Sequence, residues 1–103
     1  MLTFRNEDRE RVANGEITVT YRLWARSRVK ARRRYETGFG AVEVDDVQVM
    51  PAGLIPESDV SLSGCDDIAA VWASAGEHKQ ARVTSDTLLH RVQFRFVGDG
   101  PAA

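Results

Sequence analysis

Apolar and polar residues alternate from residue 17 to residue 24, and this alternation predicts a β-strand. One face is predicted to join the core and consists of Ile17, Val19, Tyr21 and Leu23. The other face carries hydroxyls, a guanidinium and an indole, on Thr18, Thr20, Arg22 and Trp24. A protein core disfavours that mixture. We therefore expect the second face of this strand to contribute to any binding site.

The same alternation predicts further strands at Leu2–Phe4, Val29–Tyr35, Ala41–Met50 and Leu88–Val97. The third of these changes phase at its two consecutive aspartates, residues 45 and 46. A β-bulge there would keep one side of the strand buried, namely Val42, Val44, Val47 and Val49. The alternative is a tight turn that joins two shorter strands. The chain is therefore predicted to contain five or six strands.

Short helices are predicted at Asn6–Ala13, Glu57–Leu62 and Asp67–Ala75. The first has Asn6 as a candidate N-cap, and a capping box starting at Ser63 is predicted to open the third. Five or six strands with two or three short helices predict the α+β class, as a small β-barrel or curled sheet flanked by helices. The length of 103 residues predicts one domain over residues 1–98 and a loose tail over residues 99–103.

Basic residues are concentrated in one segment, residues 22–34, which carries seven arginines and lysines and no acid. Because the net charge of the chain is −1, the remaining residues sum to −8. Such a distribution predicts an anion-binding patch on an otherwise acidic molecule. The alternative interpretation is that these cations are only the solvated ends of a strand and a loop.

Several classes of protein are disfavoured by the sequence. No apolar run approaches the roughly 18 residues that a membrane span requires, and no signal-peptide pattern opens the chain. Cys65 is the only cysteine, which fits a reducing cytoplasm. His78 and His90 lack the spacing of a metal site, and no glycine-rich phosphate-binding motif is present. We expect a cytoplasmic protein with no metal and no cofactor.

The order of these elements and one motif resemble the ASCH family, part of the PUA-like superfamily of small β-barrel domains. The family motif reads Gly-x-Lys-x-x-Thr/Glu-x-Arg, and Gly15, Thr20 and Arg22 stand at three of its positions. Other segments fit the family as well: the opening at Phe4, the strand over residues 40–50, the helix start at residues 63–64 and the aromatic ending over residues 92–96. The resemblance covers roughly residues 2–97 and implies a PUA-like β-barrel.

The resemblance implies RNA-related roles, and some bacterial members look like amidohydrolases of acylated nucleosides. Those enzymes use a lysine, the motif threonine and a glutamate. Here Ile17 replaces the lysine, and the glutamate position falls near Ser63. Only Thr20 of that trio is present, so Thr20 is the catalytic candidate if the chain is a nucleoside amidohydrolase or a ribonuclease. A threonine hydroxyl needs a neighbouring base to become a good nucleophile.

The sequence favours binding of RNA or a nucleotide-like ligand over catalysis. Gly15 is assigned a structural role in the motif. An ion pair of Arg22 with Glu43 or Asp45, and packing of Trp24 over the mouth of the barrel, are the structural alternatives. A protein-interaction domain is a further alternative, and the oligomeric state is not predicted. The candidate binding residues are Thr20, Arg22, Trp24, Arg26, Arg28, Lys30 and Arg32.

Overall fold

A computed structural model describes residues 2–98, apart from the side chain of His78. Four strands form one antiparallel sheet in the order β1-β4-β3-β2, curled into half a barrel. The strands are β1 (Val19–Arg22), β2 (Arg34–Glu36), β3 (Ala41–Pro51) and β4 (Leu88–Gly98). The helices are α1 (Arg9–Ala13), α2 (Glu57–Leu62) and α3 (Ile68–Gly76). Short 3₁₀ turns cover Asn6–Asp8, Ala52–Leu54 and Glu77–Lys79.

The mixture of helices and one antiparallel sheet agrees with the predicted α+β class, but the prediction of five or six strands is wrong. Residues 2–4 form no strand, although Leu2 N donates a hydrogen bond to Glu36 O at 2.9 Å. The strand predicted over residues 29–35 is reduced to β2. Arg32 adopts a left-handed conformation with φ of 68°, which breaks the extended backbone before β2 begins. The predicted tail lies outside the described residues.

The predicted bulge in β3 is confirmed. Val44 pairs with Phe94 and Asp46 with Gln93, so Asp45 is the additional residue and the register shifts there. Val42 and Val44 are fully buried and Val47 is half-buried, as predicted. The prediction is wrong for Val49, which is 57% exposed. Alternation fixes the face on which a side chain lies, but not whether another element covers that face.

The helix positions are close to those predicted, but two of the predicted caps are wrong. Helix α3 is capped by Asp67, whose carboxylate accepts a hydrogen bond from Ala70 N at 2.8 Å. Ser63 instead donates to Val60 O at the end of α2. Asn6 begins a 3₁₀ turn and caps no helix. Within residues 2–98, no helix is long and apolar enough to cross a membrane.

Hydrophobic clusters cover both faces of the sheet. On one face, Val92 and Phe94 of β4 pack with Val42 and Val44 of β3, together with Leu2, Val12, Ile17 and Val29. On the other face, β1 and β4 pack against α3, through Val19, Tyr21, Leu89, Val71, Ala75, Ala52 and Val83. Consecutive residues of β1 therefore point into different environments, as the alternation predicts. The prediction is wrong for Ile17, which packs in the first cluster and not with Val19 and Tyr21, because it lies before β1 begins.

A buried carboxylate joins α2 to the two strands beside it. Asp59 of α2 is only 2% exposed and accepts a hydrogen bond from Tyr21 Oη at 2.5 Å. Arg91 of β4 binds the same carboxylate through Nε at 2.7 Å and Nη2 at 3.2 Å. Burial alone raises the pKa of Asp59, but the Arg91 and Tyr21 hydrogen bonds outweigh it and hold the pKa below its usual value. We call these three residues the Asp59 clamp.

Replacing Asp59 with alanine is expected to lower the free energy of unfolding by about 3 kcal/mol, because it leaves the Arg91 charge and the Tyr21 hydroxyl without their partner. Tyr21→Phe removes one hydrogen bond and is expected to cost only about 1 kcal/mol. Urea unfolding followed by circular dichroism measures both values. Equal losses in the two variants would contradict the central place given to the carboxylate.

The clamp also predicts how stability depends on pH. The pKa of Asp59 is lower in the folded chain than the value of about 3.9 in unfolded chains. The unfolded state therefore binds more protons between these two values. The contribution of Asp59 is fully present above the unfolded pKa and is lost as the pH falls through the folded pKa.

Urea midpoints measured from pH 7 to pH 3 are expected to fall less steeply below about pH 4 in Asp59→Asn than in the unaltered chain. Asp86→Asn, at an exposed position outside the clamp, is the control. Parallel curves for the unaltered chain and Asp59→Asn would exclude this linkage.

Candidate ligand-binding clefts

Arg22 lies on the face of β1 opposite the Asp59 clamp, where it is half-buried. Its Nε donates to Thr20 Oγ1 at 3.0 Å, and its Nη2 donates to Thr3 O at 2.6 Å. The guanidinium carbon lies 5.3 Å from the centre of the Phe4 ring. These contacts use two of the five N–H groups of the guanidinium. Burial lowers the pKa of Arg22 to about 10, so the side chain is still charged at neutral pH.

The structure does not contain the ion pair considered for Arg22. Glu43 binds Arg34 at 3.2 Å and Arg95 at 2.6 Å, and Asp45 lies 3.4 Å from Arg95. Over residues 2–98, no carboxylate lies within salt-bridge distance of Arg22. Arg22 is thus a partly desolvated cation whose described partners are neutral.

A cleft of about 310 Å³ runs along β1, which is an edge strand of the sheet. Residues from both faces of the strand line it, together with the segment from Thr3 to Asp8 and the end of α3. We call it the hydroxyl cleft because four small hydroxyl side chains line it: Thr3, Thr20, Ser63 and Ser74. Its charged residues are Arg22, Asp8 and the ion pair of Arg5 with Glu77, at 2.8 Å.

The three positions that the family resemblance assigns to catalysis all line the hydroxyl cleft. They are Ile17 at the lysine position, Thr20, and Ser63 near the glutamate position. The described partner of the Thr20 hydroxyl is the Nε–H of Arg22, which donates to it. A cationic donor does not remove the hydroxyl proton, so this hydrogen bond does not activate Thr20 as a nucleophile.

A second cleft of about 290 Å³ lies on the other side of Arg22. Thr3 and Arg22 line both clefts, so Arg22 stands at their boundary. The remaining residues of the second cleft are Leu2, Leu23, Trp24, Arg28, Ala75 and Lys79. Because its lining holds three cations and no acid, we call it the basic cleft.

Trp24 is half-buried and serves both as packing and as part of the basic cleft. It packs against the core cluster around Phe94, and its ring centre lies 5.5 Å from that of His90 at an angle of 48°. His90 is 7% exposed and pairs with Arg22 across β1 and β4. Burial lowers the pKa of His90, and its Nδ1 has no hydrogen-bond partner among residues 2–98.

The basic run is divided by the structure. Arg22 and Arg28 line the basic cleft, whereas Arg26, Lys30 and Arg32 line neither cleft. Arg22 is half-buried, and the other four side chains are exposed. The loop that carries them is anchored by Val29, which is 4% exposed. Its backbone is held by Lys30 N, which donates to Tyr35 Oη at 2.7 Å, and Arg32 N, which donates to Val44 O at 2.6 Å.

Lys79 is a cation of the basic cleft that the sequence patterns did not indicate. It lies in the 3₁₀ turn after α3, within a polar stretch without periodicity, so no pattern distinguished it from an ordinary surface lysine. The charged residues of the hydroxyl cleft were missed as well: Glu77 lies in the same polar stretch, and Arg5 and Asp8 lie before and within the first predicted helix, where charged side chains are ordinary. The part of the chain that the structure describes contains no group of three or more His, Cys, Asp or Glu residues that could hold a metal ion.

The chain is similar to known proteins in its structure and not in its sequence. No family model and no curated protein matches the sequence. An ASCH domain from Lactobacillus crispatus has a similar structure, with a TM-score of 0.68 and 16% identity over 90% of this chain and 72% of that one. This chain has an ASCH-like fold. The predicted resemblance is thus confirmed at the level of the fold.

A second solved structure is similar to this chain to the same extent. It is protein EF3133 from Enterococcus faecalis, of family DUF984, with a TM-score of 0.68 and 19% identity over 90% of this chain and 71% of that one. At such identities the likeness concerns the fold alone, and the site has to be argued from the residues of this chain.

Two glycines with positive φ lie close in sequence to Ile17 and Ser63, which line the hydroxyl cleft. Gly15 precedes β1 with φ of 88°, and Gly64 follows α2 with φ of 78°. A Cβ on Gly64 would lie 2.5 Å from Ile17 Cδ1, whereas a Cβ on Gly15 would meet nothing within 4 Å. Gly64 therefore permits α2 to pack closely on Ile17, which lines the cleft.

Gly15→Ala is expected to lower the free energy of unfolding by about 1 kcal/mol, the cost of a left-handed alanine. Gly64→Ala has the same backbone cost and also displaces Ile17, so we expect the free energy of unfolding to fall by about 2–3 kcal/mol. Thermal or urea unfolding of the two variants makes the comparison. A Gly15→Ala protein as unstable as Gly64→Ala would contradict the close packing on Ile17.

Proposed function

We propose that this chain binds a nucleotide-like ligand, free or as part of single-stranded RNA, across the two clefts that meet at Arg22. One observation carries the proposal: a half-buried arginine without a described carboxylate partner lines both clefts. Removing a charge from water is unfavourable unless another charge or hydrogen bonds compensate for it. A phosphate oxygen would supply the missing negative charge and accept from the N–H groups that Arg22 leaves unused.

The neighbours of Arg22 support a nucleotide over a simple anion. Trp24 offers an indole beside Arg22 and Arg28, and stacking of bases on aromatic side chains near arginines is a common mode of single-stranded RNA recognition. Thr20 lies two residues before Arg22 on the same face and offers a hydroxyl within the hydroxyl cleft. The exposed loop cations Arg26, Lys30 and Arg32 add long-range attraction for a polyanion.

Binding accounts for Thr20 better than hydrolysis does. A nucleoside amidohydrolase or ribonuclease would need a base beside the hydroxyl, and the Thr20 hydroxyl accepts from a guanidinium instead. Asp8 and Glu77 line the same cleft, but neither accepts a hydrogen bond from the Thr20 hydroxyl, and Glu77 is paired with Arg5. A protein-interaction domain would use the exposed loop cations and would not need the clefts.

We expect a short single-stranded RNA to change tryptophan fluorescence in a saturable way, with an affinity that falls steeply as salt rises, because several phosphates are neutralised. Arg22→Ala is expected to weaken binding by about tenfold or more, the size of a charged hydrogen bond. Arg22→Lys keeps the charge but loses the planar guanidinium group, so its affinity for RNA is expected to lie between those of the unaltered chain and Arg22→Ala. Trp24→Phe identifies the reporter, since Trp72 lies on α3 and donates to Ala52 O at 3.2 Å.

Arg82→Ala is the control, because Arg82 is exposed, lines neither cleft and changes the net charge equally. Circular dichroism establishes that each variant is folded. An affinity that is insensitive to salt, or an equal loss in Arg22→Ala and Arg82→Ala, would contradict the proposal. RNA binding that depends on Arg26, Lys30 and Arg32 but not on Arg22 would also contradict the proposal, because the loop and not the clefts would then hold the RNA.

A further inference from the structure

We infer that the two clefts bind chemically different parts of one ligand, the basic cleft a terminal phosphate and the hydroxyl cleft the uncharged nucleoside. The preferred ligand is then a nucleoside monophosphate, or the phosphorylated end of a strand, and not a nucleoside or an internal phosphodiester. This inference rests on the proposed function and adds the ligand class and its orientation.

The charges that line the basic cleft come from three separate parts of the chain. Arg22 lies on β1, Arg28 in the loop that follows it, and Lys79 in the turn after α3. Among the described side chains, none of these three cations forms a salt bridge. Tertiary folding thus gathers three cations around about 290 Å³ without a compensating acid in the lining.

A terminal phosphate suits this arrangement better than an internal one. A phosphomonoester carries a charge of about −1.5 to −2 near neutral pH and has three free oxygens as acceptors. An internal phosphodiester carries a single negative charge and has two free oxygens. Three cations that line one cleft can therefore contact a monoester more completely than they can a diester. Guanidinium groups add two-pronged hydrogen bonds that an ammonium cannot make.

The hydroxyl cleft is suited to a neutral ligand part. Its acids Asp8 and Glu77 repel a phosphate, and Arg5 is already paired with Glu77. The hydroxyls of Thr20, Ser63 and Ser74 can each donate and accept a hydrogen bond. Because β1 is an edge strand, alternate backbone N–H and C=O groups also point away from the sheet on that side. Ribose hydroxyls and base edges match these groups.

Arg22 fixes the orientation because it lines both clefts. A phosphate that accepts from Arg22 on the basic side leaves the attached nucleoside on the side of Thr20. The reverse orientation would let the base stack on Trp24, but it would place the phosphate beside Asp8 and Glu77 and away from Arg28 and Lys79.

The experiment compares the affinities of cytidine and adenosine, their 5′- and 3′-monophosphates, and cytidylyl-adenosine, whose phosphate is internal. Titration calorimetry is used with the full chain at one low salt concentration. We expect a monophosphate to bind about tenfold or more tightly than its nucleoside, and more tightly than the dinucleoside, as two or more charged hydrogen bonds require. Inorganic phosphate should compete with the monophosphate and not with the nucleoside.

Substitutions test whether the preference for a monophosphate arises in the basic cleft. Lys79→Gln and Arg28→Gln are each expected to reduce the ratio of monophosphate to nucleoside affinity by about threefold to tenfold. Arg82→Gln removes an equal charge outside both clefts and is expected to leave the ratio unchanged. Ser63→Ala and Ser74→Ala should weaken the nucleoside and the monophosphate by the same factor.

The outcomes separate this inference from the proposed function. Equal affinities for nucleosides and monophosphates, or RNA binding without any response to monophosphates, overturn the inference and leave the proposed function standing. A phosphate preference that Lys79→Gln and Arg28→Gln do not reduce also overturns it. If RNA, nucleosides and monophosphates all fail to bind, the inference and the proposed function fail together.

Discussion

The carboxylate of Asp59 is the constraint on which the arrangement of this molecule depends. It receives hydrogen bonds from Tyr21 on β1 and Arg91 on β4 and thereby fixes α2 against the two adjacent strands. The end of α2 then lies where Thr18 N donates to Leu62 O at 2.9 Å, and Gly64 packs on Ile17. The inner wall of the hydroxyl cleft follows from this packing, because Ser63 lies between those two contacts.

Two neighbouring residues of β1 show opposite solutions to the burial of a polar group. Tyr21 points to one face and completes a network in which the carboxylate, the guanidinium and the phenol all have partners. Arg22 points to the other face and has neutral partners among the described residues. A closed network stabilises the fold, whereas an uncompensated cation beside a cleft favours a ligand that brings negative charge.

This chain shares its fold with two solved structures to which it is only 16–19% identical in sequence. The fold therefore depends little on the identity of individual residues. In this chain it rests on apolar positions that alternate along the long strands, a bulge in β3 and the close contact of Gly64 with Ile17. Those demands can be met by many sequences. The chemistry of the clefts depends on single side chains such as Arg22, Arg28 and Lys79, and therefore has to be derived for each chain.

Local patterns in the sequence determined the helices, the long strands and the position of the bulge. Alternation within β1 separated its core face from the face of Thr20 and Arg22, because side-chain direction in a strand depends only on the parity of the residue. Periodicity failed where a longer-range contact decided the outcome. The strand predicted over residues 29–35 is reduced to β2, because Arg32 adopts a left-handed conformation and its N–H donates to Val44 O of β3.

Only the tertiary structure decided which charges act together. The sequence marked the run from residue 22 to residue 34 as one basic segment, but folding leaves Arg26, Lys30 and Arg32 outside both clefts and places Arg28 with Arg22 in the lining of one cleft. Lys79 joins them from a turn more than fifty residues away, and Asp59 meets Arg91 across a separation of 32 residues. Charge and hydrogen-bonding capacity are properties of a residue, whereas a site is a property of distances that chain folding sets.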